Sequence, residues 1–132
     1  MGNEITKFST GTLASIIQEE GITTLIEPLV KEIFLFDTYL AGTSHIENQA
    51  IFNTIKINDK LILRRETDNK YDPKAILVLT QQNEKLGYIP RTDNEIFSRL
   101  LDAGKLLTAS IKEIEHDEPY HHVRININLV DF

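Results

Sequence analysis

Three short apolar segments, separated by polar turns, dominate the middle of this 132-residue chain. Residues 61–66 lead into the turn Asp68–Pro73, which is followed by the apolar run Ala75–Thr80 and then by Lys85–Pro90. Segments of this length, bounded by residues that favour turns, predict a three-stranded meander. The nearly continuous apolar character of Ala75–Thr80 predicts a strand that is buried on both faces.

Three further strands are predicted around this meander. Residues 33–42 are rich in aromatic and β-branched side chains, which favour a strand. Two more strands are predicted for residues 106–114 and 122–130, joined by a charged turn over residues 115–121. A short helix is predicted within residues 50–55, between the first strand and the meander.

A longer helix is predicted directly after the meander. Thr92 and Glu95 have the spacing of a capping box, and Gly104 marks the expected end of the helix. Its apolar face is expected to comprise Ile96, Phe97, Leu100, Leu101 and Ala103. Together these elements predict a mainly β fold with helices (α+β): a small, closed or nearly closed six-stranded β-barrel with one inserted helix.

Residues 1–32 are predicted to form an N-terminal helical extension to a main domain of residues 33–132. Leu13, Ile16 and Ile17 have the i, i+3, i+4 spacing of one helix face, and Gly21 fits the end of that helix. Two interpretations stay open for this segment. The helix docks on the main domain, or residues 8–32 bind a protein partner or a second copy of the chain.

Charge and composition exclude several functional classes. The net charge is −6, so the chain does not attract nucleic acid over its whole surface and needs a local site. The absence of cysteine excludes disulfides and thiolate metal sites. No secretory signal or membrane-spanning apolar run is visible, so we expect a cytoplasmic protein with no membrane association.

Catalytic motifs are absent, so we expect a protein that is not an enzyme. The sequence contains no G-x-S-x-G, phosphate-binding loop, dinucleotide fingerprint or H-E-x-x-H motif. His116, His121 and His122 cluster with Asp117 and Glu118, which are metal-ligating residue types. Their spacing matches no established ligand set, so a solvated turn is favoured over a metal site. No cofactor is expected.

Basic and aromatic residues are interleaved near the turns of the meander. Cations that contact phosphates, together with flat rings that stack on bases, are what a single-stranded nucleic acid requires. The same mixture is common on ordinary sheet edges, so composition alone leaves both interpretations open. The residues concerned are Arg64, Arg65, Lys70, Lys74 and Arg91, with Tyr71 and Tyr88 among them.

Two motifs in this region resemble a known family. The segment of residues 63–76, which contains Asn-Lys-Tyr-Asp-Pro, and the segment Lys85–Arg91 are similar to the HIRAN domain. Tyr39–Gly42 resembles the first strand of that family. Further along the chain, Leu100–Gly104 also resembles the family. The resemblance covers about residues 33–132. It implies an OB-like barrel that binds DNA, in particular single-stranded 3′ ends, as in members that remodel replication forks in DNA repair.

The resemblance also implies roles for individual residues. Tyr71 would stack on a terminal base, Asp72 would accept a hydrogen bond from the 3′-hydroxyl, and Asn69 would hold the loop or touch the backbone. Lys85 and Arg91 are the implied phosphate contacts. The full set of predicted nucleic-acid-binding residues is Asn69, Tyr71, Asp72, His45, Lys85, Arg91 and Arg65.

One segment departs from the family pattern. Helicase-like members carry a basic residue and two tyrosines after the glycine of the first strand, where this chain has Ser44, His45 and Ile46. His45 retains an aromatic ring that can stack, but the 3′-end site is expected to differ. The ATPase motor and zinc RING of large members have no counterpart in these residues, so neither hydrolase activity nor zinc is expected. Two functional hypotheses follow: a non-catalytic nucleic-acid-binding module, for DNA or RNA, and a protein-interaction module that uses the N-terminal extension.

Overall fold

Six strands form one sheet in the computed structural model, which describes residues 31–117 and 120–131. The spatial order of the strands is β1-β6-β5-β2-β3-β4. The antiparallel pairs β2–β3 and β3–β4 form the predicted meander, and the β5–β6 hairpin extends the sheet from β2. The strands are β1 (Lys31–Tyr39), β2 (Lys60–Arg65), β3 (Ile76–Thr80), β4 (Lys85–Tyr88), β5 (Leu107–Asp117) and β6 (Tyr120–Asp131).

The two outer strands of this order approach each other just beyond β1. The backbone of Ala41 exchanges two hydrogen bonds with Tyr88 of β4, of 2.8 and 2.9 Å. Gly87 permits this contact, because a Cβ atom at that position would lie 2.7 Å from the carbonyl oxygen of Ala41. The sheet therefore curls towards closure, and the predicted mainly β, six-stranded fold with one inserted helix is confirmed.

The core lies inside the curled sheet. All five residues of β3 are buried, as its apolar run predicts. In β6 the buried residues alternate with less buried ones, so Val123, Ile125 and Ile127 face the core. The predicted short helix is a 3-10 helix, Gln49–Asn53, and it buries Phe52 completely. Another 3-10 turn, Thr43–His45, precedes it.

The prediction for the α-helix that follows the meander, α1 (Asn94–Asp102), was wrong in two details. No side chain caps its N-terminus, because the N-cap residue Asp93 instead accepts a hydrogen bond from the Thr38 hydroxyl at 2.9 Å. The buried face comprises Asn94, Phe97 and Ser98, whereas Ile96 is 66% exposed. Ala103, which was also assigned to the apolar face, is exposed beyond the helix end. Phe97 is buried as predicted, and Leu100 and Leu101 pack partly buried against the core. The buried Asn94 amide hydrogen-bonds to Asp72 in the turn after β2.

The predicted turn over residues 115–121 was also wrong. β5 continues to Asp117 and β6 begins at Tyr120, with His116 directly opposite His121. Charged side chains are tolerated in strands there because this end of the hairpin is largely exposed.

The predicted N-terminal extension lies almost entirely outside the described residues. Lys31 and Glu32, assigned to the extension, begin β1 instead. The helices and the partner surface predicted for residues 8–32 therefore stay predictions. No helix among the described residues is long and apolar enough to cross a membrane.

Candidate nucleic-acid interface

An open cavity of about 1110 Å³ lies beside the Ala41–Tyr88 contact. Its lining comes from three parts of the chain: residues 41–51, the turn residues 69–75, and residues 84–91. Six of the seven predicted binding residues line it: His45, Asn69, Tyr71, Asp72, Lys85 and Arg91. The fold thus brings together residues that are up to 46 positions apart in sequence, from His45 to Arg91.

Asn69 organises the turn after β2. Its Oδ1 accepts hydrogen bonds from the backbone N–H groups of Tyr71 at 2.8 Å and Asp72 at 3.0 Å. Its Nδ2 donates to Oε1 of Glu66 at 2.7 Å. Asparagine side chains commonly hold turns through such bonds to the following backbone. Asn69 therefore fixes where the next two side chains project.

Tyr71 projects into solvent at the edge of the cavity. Tyr71 is 86% exposed, which is the largest value among the exposed large hydrophobic residues in the described part of the chain. An aromatic ring held in water on an ordered turn gains little for the fold. The same ring is available to stack on a flat partner such as a nucleobase.

Asp72 lies next to that ring and is held from several sides. Oδ1 accepts from the backbone N–H of Lys74 at 3.0 Å, and Oδ2 accepts from Nδ2 of Asn94 at 2.7 Å. Nε of Arg91 lies 3.7 Å from the same Oδ2. The hydrogen bond from Lys74, followed by that from Asn94 and the charge of Arg91, lowers the pKa of Asp72 despite its partial burial. At neutral pH this carboxylate is therefore an acceptor and not a donor.

Glu66 is not among the lining residues but holds two of them, Asn69 and Tyr88, a supporting role that the sequence analysis missed. One oxygen, Oε1, accepts from Asn69 and from the phenolic hydroxyl of Tyr88, at 2.7 Å each. The hydrogen bond from Tyr88 lowers the pKa of Glu66, and burial together with this carboxylate raises the pKa of Tyr88 to about 12. The sequence feature that could have identified Glu66 is its position, three residues before Asn69 and at the point where β2 ends.

The charges around the cavity are mixed. Lys85 and Arg91 are permanent cations of the lining, whereas Glu47, Asp72 and Glu84 are carboxylates. The apolar part of the lining was also missed from sequence and includes Ile46, Ile51, Ala75 and Ile89. Such a surface suits a flat, partly apolar group with few charges better than a long phosphate backbone.

Arg65 does not line the cavity. Its Nε donates to Oδ1 of Asp102 at 2.9 Å, and its guanidinium also donates to the carbonyl oxygens of Ala75 and Pro73. The side chain is only 15% exposed. Arg65 therefore joins β2, the turn and the end of α1.

A comparison with protein-family models identifies the HIRAN domain over residues 33–130. This chain belongs to the HIRAN domain family. The match covers nearly all of the described residues, and the curled sheet agrees with the OB-like barrel expected of a HIRAN domain. A comparison with curated proteins gives no match.

Solved structures show the same fold. A crystal structure of a protein from Lactobacillus plantarum is 25% identical, with a TM-score of 0.72, over 78% of this HIRAN chain and 99% of the other. The crystal structure of the HIRAN domain of human HLTF is 12% identical, with a TM-score of 0.61, over 75% and 78% of the two chains. An NMR structure of the HLTF HIRAN domain in its DNA-bound conformation is 11% identical, with a TM-score of 0.55, over 76% and 79%.

Proposed function

We propose that this HIRAN domain is a non-catalytic module that binds the 3′ end of single-stranded DNA in the cavity. The observation that carries the proposal is the juxtaposition of the exposed Tyr71 ring with the hydrogen-bonded Asp72 carboxylate at the cavity edge. Support also comes from human HLTF, whose HIRAN domain has been solved in a DNA-bound conformation.

The size and lining of the cavity favour a chain end over a continuous strand. Its volume is about 1110 Å³, slightly above the range of about 300–1,000 Å³ that is usual for small-ligand sites. A terminal nucleotide fits such a volume. Lys85 and Arg91 provide contacts for only a few phosphates, and the three carboxylates of the lining oppose a longer phosphate track.

Asp72 gives the site its preference for a free hydroxyl. An ionised carboxylate accepts a hydrogen bond from a 3′-hydroxyl, whereas a 3′-phosphate would bring negative charge against it. Tyr71 stacks on the terminal base, and Asn69 holds the turn that carries both groups. His45 also lines the cavity and offers a second flat ring.

The test compares two labelled single strands that differ only at the 3′ terminus. One ends in a hydroxyl and the other in a phosphate, and fluorescence anisotropy measures the dissociation constant of each. We expect binding at least about tenfold weaker for the 3′-phosphate, because a hydrogen bond to a charged group is worth about 1.5–3 kcal/mol. A strand phosphorylated at the 5′ end is the matched control and is expected to bind like the hydroxyl strand. Equal affinity for both 3′ termini would contradict end recognition. A ribonucleotide strand of the same sequence tests whether DNA is preferred over RNA.

A second candidate function rests on the apolar surface of β1. Four of its large side chains, Ile33, Phe34, Phe36 and Tyr39, are at least 40% exposed on an outer strand of the sheet. Exposed apolar surface of this kind favours a protein-interaction module. Deletion of residues 1–30, measured by light scattering and strand binding, distinguishes the candidates. If the deletion changes the oligomeric state and the intact chain binds no single-stranded DNA, the protein-interaction module is favoured.

A further inference from the structure

Two histidines form a side-chain pair near the connection between β5 and β6, outside the residues that line the cavity. His116 and His121 are direct partners in the strand register, and their Nδ1 atoms lie 2.9 Å apart. The ring centroids are 5.0 Å apart and the ring planes meet at 84°. A neutral imidazole has one N–H and one lone pair, so one ring donates to the other. When the donating ring carries its proton on Nε2 instead, both Nδ1 atoms offer a lone pair to one ion.

One of these rings is fixed in place. The His121 ring stacks on Phe52, with centroids 4.7 Å apart and an interplanar angle of 16°. Phe52 is completely buried, and the backbone oxygen of His121 accepts a hydrogen bond from the Thr43 hydroxyl at 2.9 Å. His116 lies on the exposed part of β5 and is free to adjust. A fixed donor beside an adjustable one loses little conformational freedom when both bind one ion.

The distance between the nitrogens indicates the kind of ion. With metal–nitrogen bonds of about 2.0–2.1 Å, two ligands at 90° have nitrogens about 2.8–3.0 Å apart. Two ligands of a tetrahedral ion have nitrogens about 3.3–3.4 Å apart. The observed 2.9 Å, although it is that of a hydrogen-bonded pair, equals the first separation, so the strands keep their register when the His116 ring turns its lone pair towards a shared ion. Square-planar or tetragonal coordination by nitrogen is typical of Cu²⁺ and Ni²⁺.

No basic side chain in the neighbouring strand residues opposes a cation at the pair, because residues 114–117 and 120–123 contain neither lysine nor arginine. Glu115 and Asp117 pair with His122 and Tyr120, so their side chains lie on the opposite face of the hairpin and are not ligands of the pair. Within the described part of the chain, no group of three or more His, Asp or Glu side chains could hold a metal ion. The pair therefore supplies two ligands, and water completes the coordination.

We propose that His116 and His121 form a two-imidazole site for Cu²⁺, with weaker binding of Ni²⁺ as expected from the general affinity order of these ions. The site requires no nucleic acid and is independent of the function proposed above. A bound ion would link β5 to β6 across the hairpin and would also fix the ring that packs on Phe52.

The chain offers a well-matched control for this site. Its four histidines are His45, His116, His121 and His122, and it has no cysteine. His122 follows His121 directly but is paired with Glu115, so its side chain lies on the opposite face of the hairpin. The experiment titrates the untagged full chain with CuCl₂ in the presence of glycine as a weak competitor. Visible d–d absorption and calorimetry report binding.

We expect the wild type and His122→Ala to bind Cu²⁺ with the same affinity, and His116→Ala to bind at least about tenfold more weakly, since one of two ligands is lost. His121→Asn is a second variant with the same expected loss, and circular dichroism checks that each variant is folded. Unchanged binding in His116→Ala, an equal loss in His122→Ala, or no saturable binding by the wild type would overturn the proposal. Tighter binding of Zn²⁺ than of Cu²⁺ would overturn the tetragonal geometry.

Discussion

The phenolic oxygen of Tyr88 lies 2.7 Å from Oε1 of Glu66, the same oxygen that accepts a hydrogen bond from Asn69. This one carboxylate oxygen therefore joins β4, the end of β2 and the turn that carries Tyr71 and Asp72. The backbone of Tyr88 also forms the contact with Ala41 that brings the outer strands together. The position of the candidate binding groups thus depends on a network that does not itself need to contact a ligand.

Tyr88→Phe tests this network through stability. The substitution keeps the ring but removes the donor to Glu66, so the carboxylate loses one of its two side-chain hydrogen bonds. We expect the free energy of unfolding at pH 7 to fall by about 1–3 kcal/mol, measured by urea denaturation. Tyr120→Phe is the control, because that residue is 54% exposed. Equal stability of Tyr88→Phe and the control would show that the bond contributes nothing.

Acid should destabilise the domain through the same carboxylate. The hydrogen bond from Tyr88 lowers the pKa of Glu66 below its ordinary value of 4.5, and the bond from Lys74 lowers that of Asp72 below 3.8. A carboxyl group whose pKa is lowered in the folded state stabilises the fold at pH values above its ordinary pKa. This stabilisation is lost as the pH falls through the folded-state pKa. The free energy of unfolding is therefore expected to decrease below about pH 4.5.

Glu66→Gln should make this decrease shallower, because the amide does not titrate, and should also lower stability at pH 7. Urea denaturation between about pH 3 and about pH 7 measures both effects. The exposed Glu115→Gln serves as the control for the removal of one negative charge. Parallel profiles for the wild type and Glu66→Gln would assign the acid sensitivity to other groups.

Local sequence patterns predict the strands better than the helix face or the hairpin. An apolar run, or the alternation of apolar and polar residues, is visible within a few consecutive positions. For this reason β3 and β6 are found where they are predicted. In α1 the buried polar residue Asn94 hydrogen-bonds to Asp72, which is 22 residues away. The extension of β5 to Asp117 and the start of β6 at Tyr120 involve pairing between the two strands. Neither interaction leaves a periodic signal in the sequence.

The same distinction holds for the candidate site. Tyr71 and Asp72 were identified because their turn has a family motif, and the structure places both at the cavity. Glu66 was missed because its role arises from two side chains that reach it from the turn and from β4. Arg65 was included because a basic residue near a turn resembles a phosphate contact. Its direction is set by Asp102, which is 37 residues away.

Tyr71→Ala should separate binding from stability. The side chain is exposed, so the free energy of unfolding should change by no more than about 0.5 kcal/mol. Single-strand binding should weaken by about 1–3 kcal/mol if the ring stacks on a base. Tyr71→Phe retains the ring and should retain most of the affinity, which anisotropy titrations of both variants measure. Equal losses in the two variants would assign the effect to the hydroxyl group and not to stacking.

Arg65→Ala and Lys85→Ala should have opposite effects, because one cation is held by the protein and the other faces the cavity. Loss of Arg65 removes its bonds to Asp102, Ala75 and Pro73, so we expect lower stability and an unchanged salt dependence of binding. Lys85 is exposed and lines the cavity. Its loss should weaken binding and reduce the slope of log affinity against log salt by about 0.7, the value for one phosphate contact to a single strand. Anisotropy titrations at several salt concentrations, paired with urea denaturation, measure both quantities. A reduced salt slope in Arg65→Ala with normal stability would place that guanidinium at the ligand, contrary to its position in the fold.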